Sequence, residues 1–139
     1  MTQPLKGSCL CGNIIYEVDA APLLSLVCHC TDCQKQTGSS FSTIMGFPVD
    51  KVSITGESKS FTQNGDSGQP LSRHFCGDCG SPIYSDVSVA PGLLMIKTGT
   101  LDDPQAFAPE AHVYRASGCD WLELGDVPAF DLLPPQPEA

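Results

Sequence analysis

The chain is poor in positive charge: seven Lys and Arg stand against sixteen Asp and Glu over 139 residues, a formal net charge of −9. Nucleic-acid binding gains affinity by releasing phosphate counterions onto clustered cations. No Lys/Arg cluster is present, so nucleic acid is excluded as a partner. Long apolar runs are missing too. Nothing approaches the roughly 18 consecutive apolar residues that a spanning helix needs, which argues against a membrane partner. Met1 to Leu10 contains no apolar segment with a small-residue cleavage pattern, so the expected location is the reducing cytoplasm. In that compartment closely spaced cysteines serve as metal ligands or redox centres more often than as disulfides.

Cysteine, by contrast, is abundant. Seven of the eight fall into three clusters: Cys9-Leu10-Cys11, Cys28-His29-Cys30-Thr31-Asp32-Cys33 and Cys76-Gly77-Asp78-Cys79. With 13 Gly and 12 Pro, the chain is rich in turns between short elements. That composition favours a mainly β fold with one or two short helices. The length suits one domain, expected over residues 1–133, with a disordered tail over 134–139.

Leu5 to Ala20 reads as two short strands around the first cysteine pair, with Ile14, Tyr16 and Val18 on one face and Gly12 permitting the turn. Leu23 to Cys28 reads as a buried strand, interrupted only by Ser25, that delivers the cysteine triplet to the interior. Thr31-Asp32-Cys33-Gln34 fits a capping box, predicting a short helix with Thr31 as N-cap and Gly38 as its left-handed terminus. Further short strands are expected over 41–47, 52–55, 58–63, 82–85 and 93–98, with a loop at 64–70.

The spacing of the cysteines has chemical meaning. In extended chain, residues i and i+2 point to the same side, so Cys9 and Cys11 can reach one metal. The C-x-x-C turn of Cys76 and Cys79 places two more sulfurs around an ion. If the two pairs combine, Cys9, Cys11, Cys76 and Cys79 make a closed, structural zinc site. Cys28, Cys30 and Cys33 then remain as a second site with three protein ligands and an open position, which suits holding an exogenous thiolate beside an electrophile. Two other readings stay open for the triplet: a Cys30–Cys33 redox pair, and closure of the site by His29, whose side chain should point to the opposite face. His74 and His112 are expected to be hydrogen-bonded structural histidines, and Cys119 a small, partly buried side chain. Lys35 and Arg73 are the candidate cations for an anionic ligand.

The segments Gly7-Ser8-Cys9-Leu10-Cys11-Gly12, Cys28 through Ser39 and Phe75-Cys76-Gly77-Asp78-Cys79-Gly80-Ser81-Pro82 together resemble the glutathione-dependent formaldehyde-activating enzyme family, also known for its centromere protein V-type domain. Pro109, His112, Tyr114, Trp121 and the ending Asp126-Val127-Pro128-Ala129-Phe130 look like that family's C-terminal pattern. The resemblance implies a tent-like fold of zinc-stapled antiparallel sheets. It also implies two zinc ions per chain, a structural one on Cys9, Cys11, Cys76 and Cys79 and a catalytic one on Cys28, Cys30 and Cys33. The implied activity is that of a carbon–sulfur lyase or synthase, joining glutathione and formaldehyde into S-hydroxymethylglutathione. The alternative is a non-enzymatic zinc module that binds glutathione or a protein partner.

Overall fold

The computed structural model describes residues 4–65, 67–88 and 90–134. In chain order its elements are β1 (Leu5–Ser8), β2 (Ile15–Val18), β3 (Leu24–Cys28), α1 (Thr31–Thr37), β4 (Ser42–Pro48), β5 (Val52–Thr55), β6 (Lys59–Asn64), β7 (Pro70–Phe75), β8 (Pro82–Val87), β9 (Leu93–Lys97) and β10 (Ala111–Val113). Short 3-10 turns lie at Val49–Lys51, Thr98–Thr100, Pro104–Ala106 and Arg115–Ser117. The fold is mainly β, and no helix among the described residues is long and apolar enough to cross a membrane. Of the tail expected from Pro134 onward, residues 135–139 lie outside the described range.

The chain forms two compact units, one from residues 1–24 and 45–107, the other from 25–44 and 108–139. In the first, β1 and β2 form an antiparallel hairpin with Leu5 opposite Val18 and Ser8 opposite Ile15. β5 adds to the far side of β2, Ile15 opposite Thr55. The same unit holds the antiparallel run β9-β8-β7-β6. Ile14, Tyr16 and Val18 point inward as their alternation requires, and pack with Met45, Phe47, Ile83, Ile96 and Leu101. Burying each large apolar side chain contributes about 1.5–3 kcal/mol. Cys9 and Cys76 belong to this same core.

The second unit departs from the antiparallel expectation. β10 pairs with β3 in parallel, Ala111 opposite Leu26 and Val113 opposite Cys28, so the β structure is mixed. A parallel pair needs a long crossover, and the stretch between β3 and β10 provides it. The segment after β10 folds back along it, with His112 N–H donating to Pro128 O at 2.8 Å and Phe130 N–H to His112 O at 2.9 Å.

Two strands escape the sequence reading. β7 begins on Pro70, which serves as a first strand residue because it has no ladder N–H to lose. Its inward position is taken by Arg73, only 5% exposed. β10 is three residues long and carries no alternation that could separate it from a loop.

Candidate metal centres

The four-cysteine cluster lies wholly in the first unit. The turn after β1 is closed by Cys9 N–H to Ile14 O at 3.0 Å and Gly12 N–H to Cys9 O at 3.1 Å, with Gly12 at φ 81°. A matching knuckle follows β7, where Cys76 N–H donates to Ser81 O at 2.9 Å and Gly80 N–H to Cys76 O at 2.8 Å. The two turns are tied by Asn13 Nδ2 donating to Asp78 Oδ2 at 2.7 Å and Leu10 N–H to Ser81 Oγ at 3.0 Å. Sulfur atoms of Cys9, Cys11, Cys76 and Cys79 converge within 4.8 Å of one another. The Cys9–Cys11 and Cys11–Cys76 sulfur separations are 3.6 and 3.7 Å. A tetrahedral ion with Zn–S bonds of about 2.3 Å requires sulfurs about 3.8 Å apart, so the donor set fits such an ion.

Local hydrogen bonds divide the charge among these thiols. The Ser81 hydroxyl, helped by backbone N–H groups, pulls the Cys79 thiol down to about 5. Burial alone would raise Cys9, but the Ile14 N–H at 3.2 Å and neighbouring thiols leave it lowered. At Cys11 the contact with the Asn13 backbone favours thiolate, yet burial and three sulfur neighbours push it up to about 12. Without a cation the cluster therefore cannot carry its full charge; a dication at its centre would remove that opposition.

The triplet lies wholly in the second unit, at the junction of β3 and α1. Sulfurs of Cys28, Cys30 and Cys33 also lie within 4.8 Å of one another, and among the described residues no fourth Cys, His, Asp or Glu joins them. The Cys28 thiol is pushed far up, chiefly by the Cys30 and Cys33 thiols beside it. At Cys30, hydrogen bonding with Cys28 favours thiolate, but Cys33 and burial leave it raised. Three sulfurs this close repel a second and third negative charge, an opposition that a cation held among them would relieve.

The helix that carries Cys33 is capped differently from the capping-box expectation. Cys30, rather than Thr31, is the N-cap: its sulfur accepts from Cys33 N–H at 3.3 Å. Gln34 is thereby released from the box, and its Nε2 donates to His29 O at 2.9 Å and Ser117 O at 3.0 Å. At the other end Gly38, φ 71°, closes the helix as expected, its N–H on Gln34 O. The cap is thus one of the three candidate ligands, and α1 is anchored to the turn after β10.

His29 points away from the triplet, as extended geometry requires. It is fully buried, its Nε2 lies 2.9 Å from His112 Nδ1, and its ring sits against Phe41. Burial, with His112 and Arg115 nearby, lowers its pKa. Its Nδ1 has no hydrogen-bond partner and lies 3.2 Å from where a Cβ on Gly118 would stand. His74 bonds Ser58 Oγ at 3.2 Å and stacks on Tyr84 with centroids 4.2 Å apart. Both His74 and His112 therefore have the structural surroundings expected of them. Lys35 is exposed on α1, whereas Arg73 is buried in the other unit and is not the surface cation anticipated. Cys119 is partly buried. The sequence alone gave no sign of the His29–His112 pair or of the two bonds made by Gln34, because their partners are far apart along the chain.

The sequence profile of the family described as glutathione-dependent formaldehyde-activating enzyme matches residues 4–117. A Halomonas elongata protein named as a candidate member of that enzyme family is 28% identical over 126 residues, which cover 86% of this chain and 80% of the relative. One from Talaromyces marneffei, named likewise, is 37% identical over 84 residues, 59% of this chain and 44% of its own length. A crystal structure of a Rhodobacter sphaeroides protein superposes with a TM-score of 0.58 at 18% identity, covering 90% of this chain and 99% of that one. At that identity the likeness is one of fold.

Proposed function

The chain belongs to the glutathione-dependent formaldehyde-activating enzyme family, and on that premise we propose that it is a zinc-dependent carbon–sulfur lyase or synthase acting on a small thiol adduct. The thiol is glutathione, the aldehyde formaldehyde, and the product S-hydroxymethylglutathione. The observation that carries this reading is the convergence of Cys28, Cys30 and Cys33 with no fourth protein ligand among the described residues. Zinc held by three cysteines supplies a positive charge that favours the thiolate form of an incoming thiol.

The remaining work falls to the chain. Cys28 and Cys33, both buried, keep water from most of the donor set. Cys30 holds the first turn of α1 in place through Cys33 N–H, and Gln34 fixes that turn against the His29 and Ser117 carbonyls. The reaction is an addition: sulfur bonds to the aldehyde carbon, the carbonyl π pair moves to oxygen, and that oxygen takes up a proton. Nothing is oxidised or reduced. Holding the thiol in place raises its effective concentration. The four-cysteine cluster, set in the core of the first unit, takes the structural zinc.

The test is glutathione–formaldehyde exchange above the uncatalysed background, with metal content measured alongside. Wild type is expected to carry two zinc ions and catalyse exchange. Cys33→Ala is expected to keep one zinc and lose the catalysed rate. Equal rates in the two proteins would leave only a zinc module that sequesters thiols.

A further inference from the structure

His29 stands between two of the triplet's three cysteines, and its ring projects to the side away from them, where it is fully buried. Three bonds hold this one residue. Its N–H donates to Val113 O at 3.0 Å, its carbonyl accepts from Gln34 Nε2 at 2.9 Å, and its Nε2 lies 2.9 Å from Nδ1 of His112 on β10. Burial lowers the pKa of both rings, so at neutral pH each is uncharged and carries a single ring proton. The His112 ring is also bonded to the Leu124 carbonyl, which can only accept. With Nδ1 facing His29, the nitrogen that donates to Leu124 is Nε2. Nδ1 of His112 is then a lone pair, and His29 Nε2 is the donor to it.

The order of protons is therefore fixed from the Leu124 carbonyl back to His29. It leaves His29 Nδ1 with a lone pair and no donor, since that atom has no hydrogen-bond partner. An apolar ring here would avoid the penalty of an unsatisfied buried acceptor. What a histidine adds is a directional bond. The peptide groups on either side of His29 lead to Cys28 and Cys30, so holding its ring and both of its backbone polar groups fixes the directions in which those two sulfurs leave the chain. We propose that His112 is a positioning residue for the metal: through His29 it holds Cys28 and Cys30 at the spacing a shared ion needs; this rests on the reading of the triplet as a metal site. Groups outside a metal's ligand set orient the ligands; here the ring does so through the backbone between two of them. Gln34, next to Cys33 on α1, ties the third ligand to the same residue.

Two amide substitutions separate the two bonds of His112. Asparagine places an acceptor where Nδ1 stands and gives up Leu124; glutamine places a donor where Nε2 stands and gives up His29. Measured by competition with a chelator, His112→Asn should bind metal at the triplet within about twofold of wild type, and His112→Gln about 10- to 100-fold more weakly. The four-cysteine cluster is the control inside each molecule, its affinity unchanged in both variants, and Cys33→Ala identifies the cobalt(II) absorption that belongs to the triplet. Equal triplet affinity in wild type and His112→Gln overturns the positioning role, even where the unfolding midpoint falls. If neither variant folds, wild type decides: the Nε2–H signals of His29 and His112 in nitrogen NMR should persist when the triplet's ion is stripped away, and their loss overturns the proposal. A wild type that takes up one ion only overturns it together with the metal reading beneath it.

Discussion

Tyr16 combines an apolar ring in the core of the first unit with a phenol that must be satisfied there. It is 3% exposed and its hydroxyl lies 2.6 Å from Thr100 Oγ1. Burial, partly opposed by that hydrogen bond and reinforced by Asp102, pushes its pKa up to about 12. An unfolded tyrosine ionises near 10. Below pH 10 both states hold the proton and Tyr16 costs nothing. Between pH 10 and 12 only the unfolded state gives it up, so stability falls as pH rises, by an amount on the order of 2–3 kcal/mol. Denaturation midpoints from pH 9 to 12 should show this decline in wild type and a shallower one in Tyr16→Phe. That Tyr16 faces the core was legible from its alternation with Ile14 and Val18. The burial of Arg73 was not, because a cation in a strand reads by default as solvated.

The two cysteine-bearing turns show why spacing was so informative here. Each is closed by its own backbone hydrogen bonds within a few residues of its cysteines, so the local sequence specifies the geometry without help from the rest of the chain. The same holds for α1, whose left-handed end at Gly38 was legible. Its N-cap was misread because a sulfur acceptor at Cys30 displaced the hydroxyl of Thr31. β7 and β10 were invisible for a different reason: neither has a pattern of its own, β7 being held by its neighbours β6 and β8 and β10 by β3, far back along the chain. The four-cysteine cluster and the triplet predict unequal consequences for two similar substitutions. Cys79→Ala removes one of four sulfurs joining two turns around a core that includes Cys9 and Cys76, and should sharply reduce soluble, folded protein. Cys33→Ala, in the other unit, should leave the yield and the circular dichroism spectrum near those of wild type. Comparable insolubility of both variants would contradict the division into structural and reactive centres.

The chain as a whole is strongly acidic, at −9 before any thiolate is counted. Its second unit, residues 25–44 and 108–139, contains two cations, Lys35 and Arg115. An anionic thiol such as glutathione must therefore approach against the net field. Screening shortens the reach of that field, from a Debye length of about 30 Å at 0.01 M salt to about 8 Å at 0.15 M. Glutathione affinity should consequently rise by about twofold over that range, the reverse of what a basic binding site would give. Calorimetric titration at the two salt concentrations measures the sign.

Both compact units are assembled from separated stretches of chain, and this bears on the order of events during synthesis. The sulfurs of Cys28, Cys30 and Cys33 are made almost together, but β10, the strand that pairs beside Cys28, emerges from the ribosome long afterwards. Between the synthesis of Cys33 and that of Val113, the three sulfurs are therefore carried by a chain in which β3 still lacks its β10 neighbour.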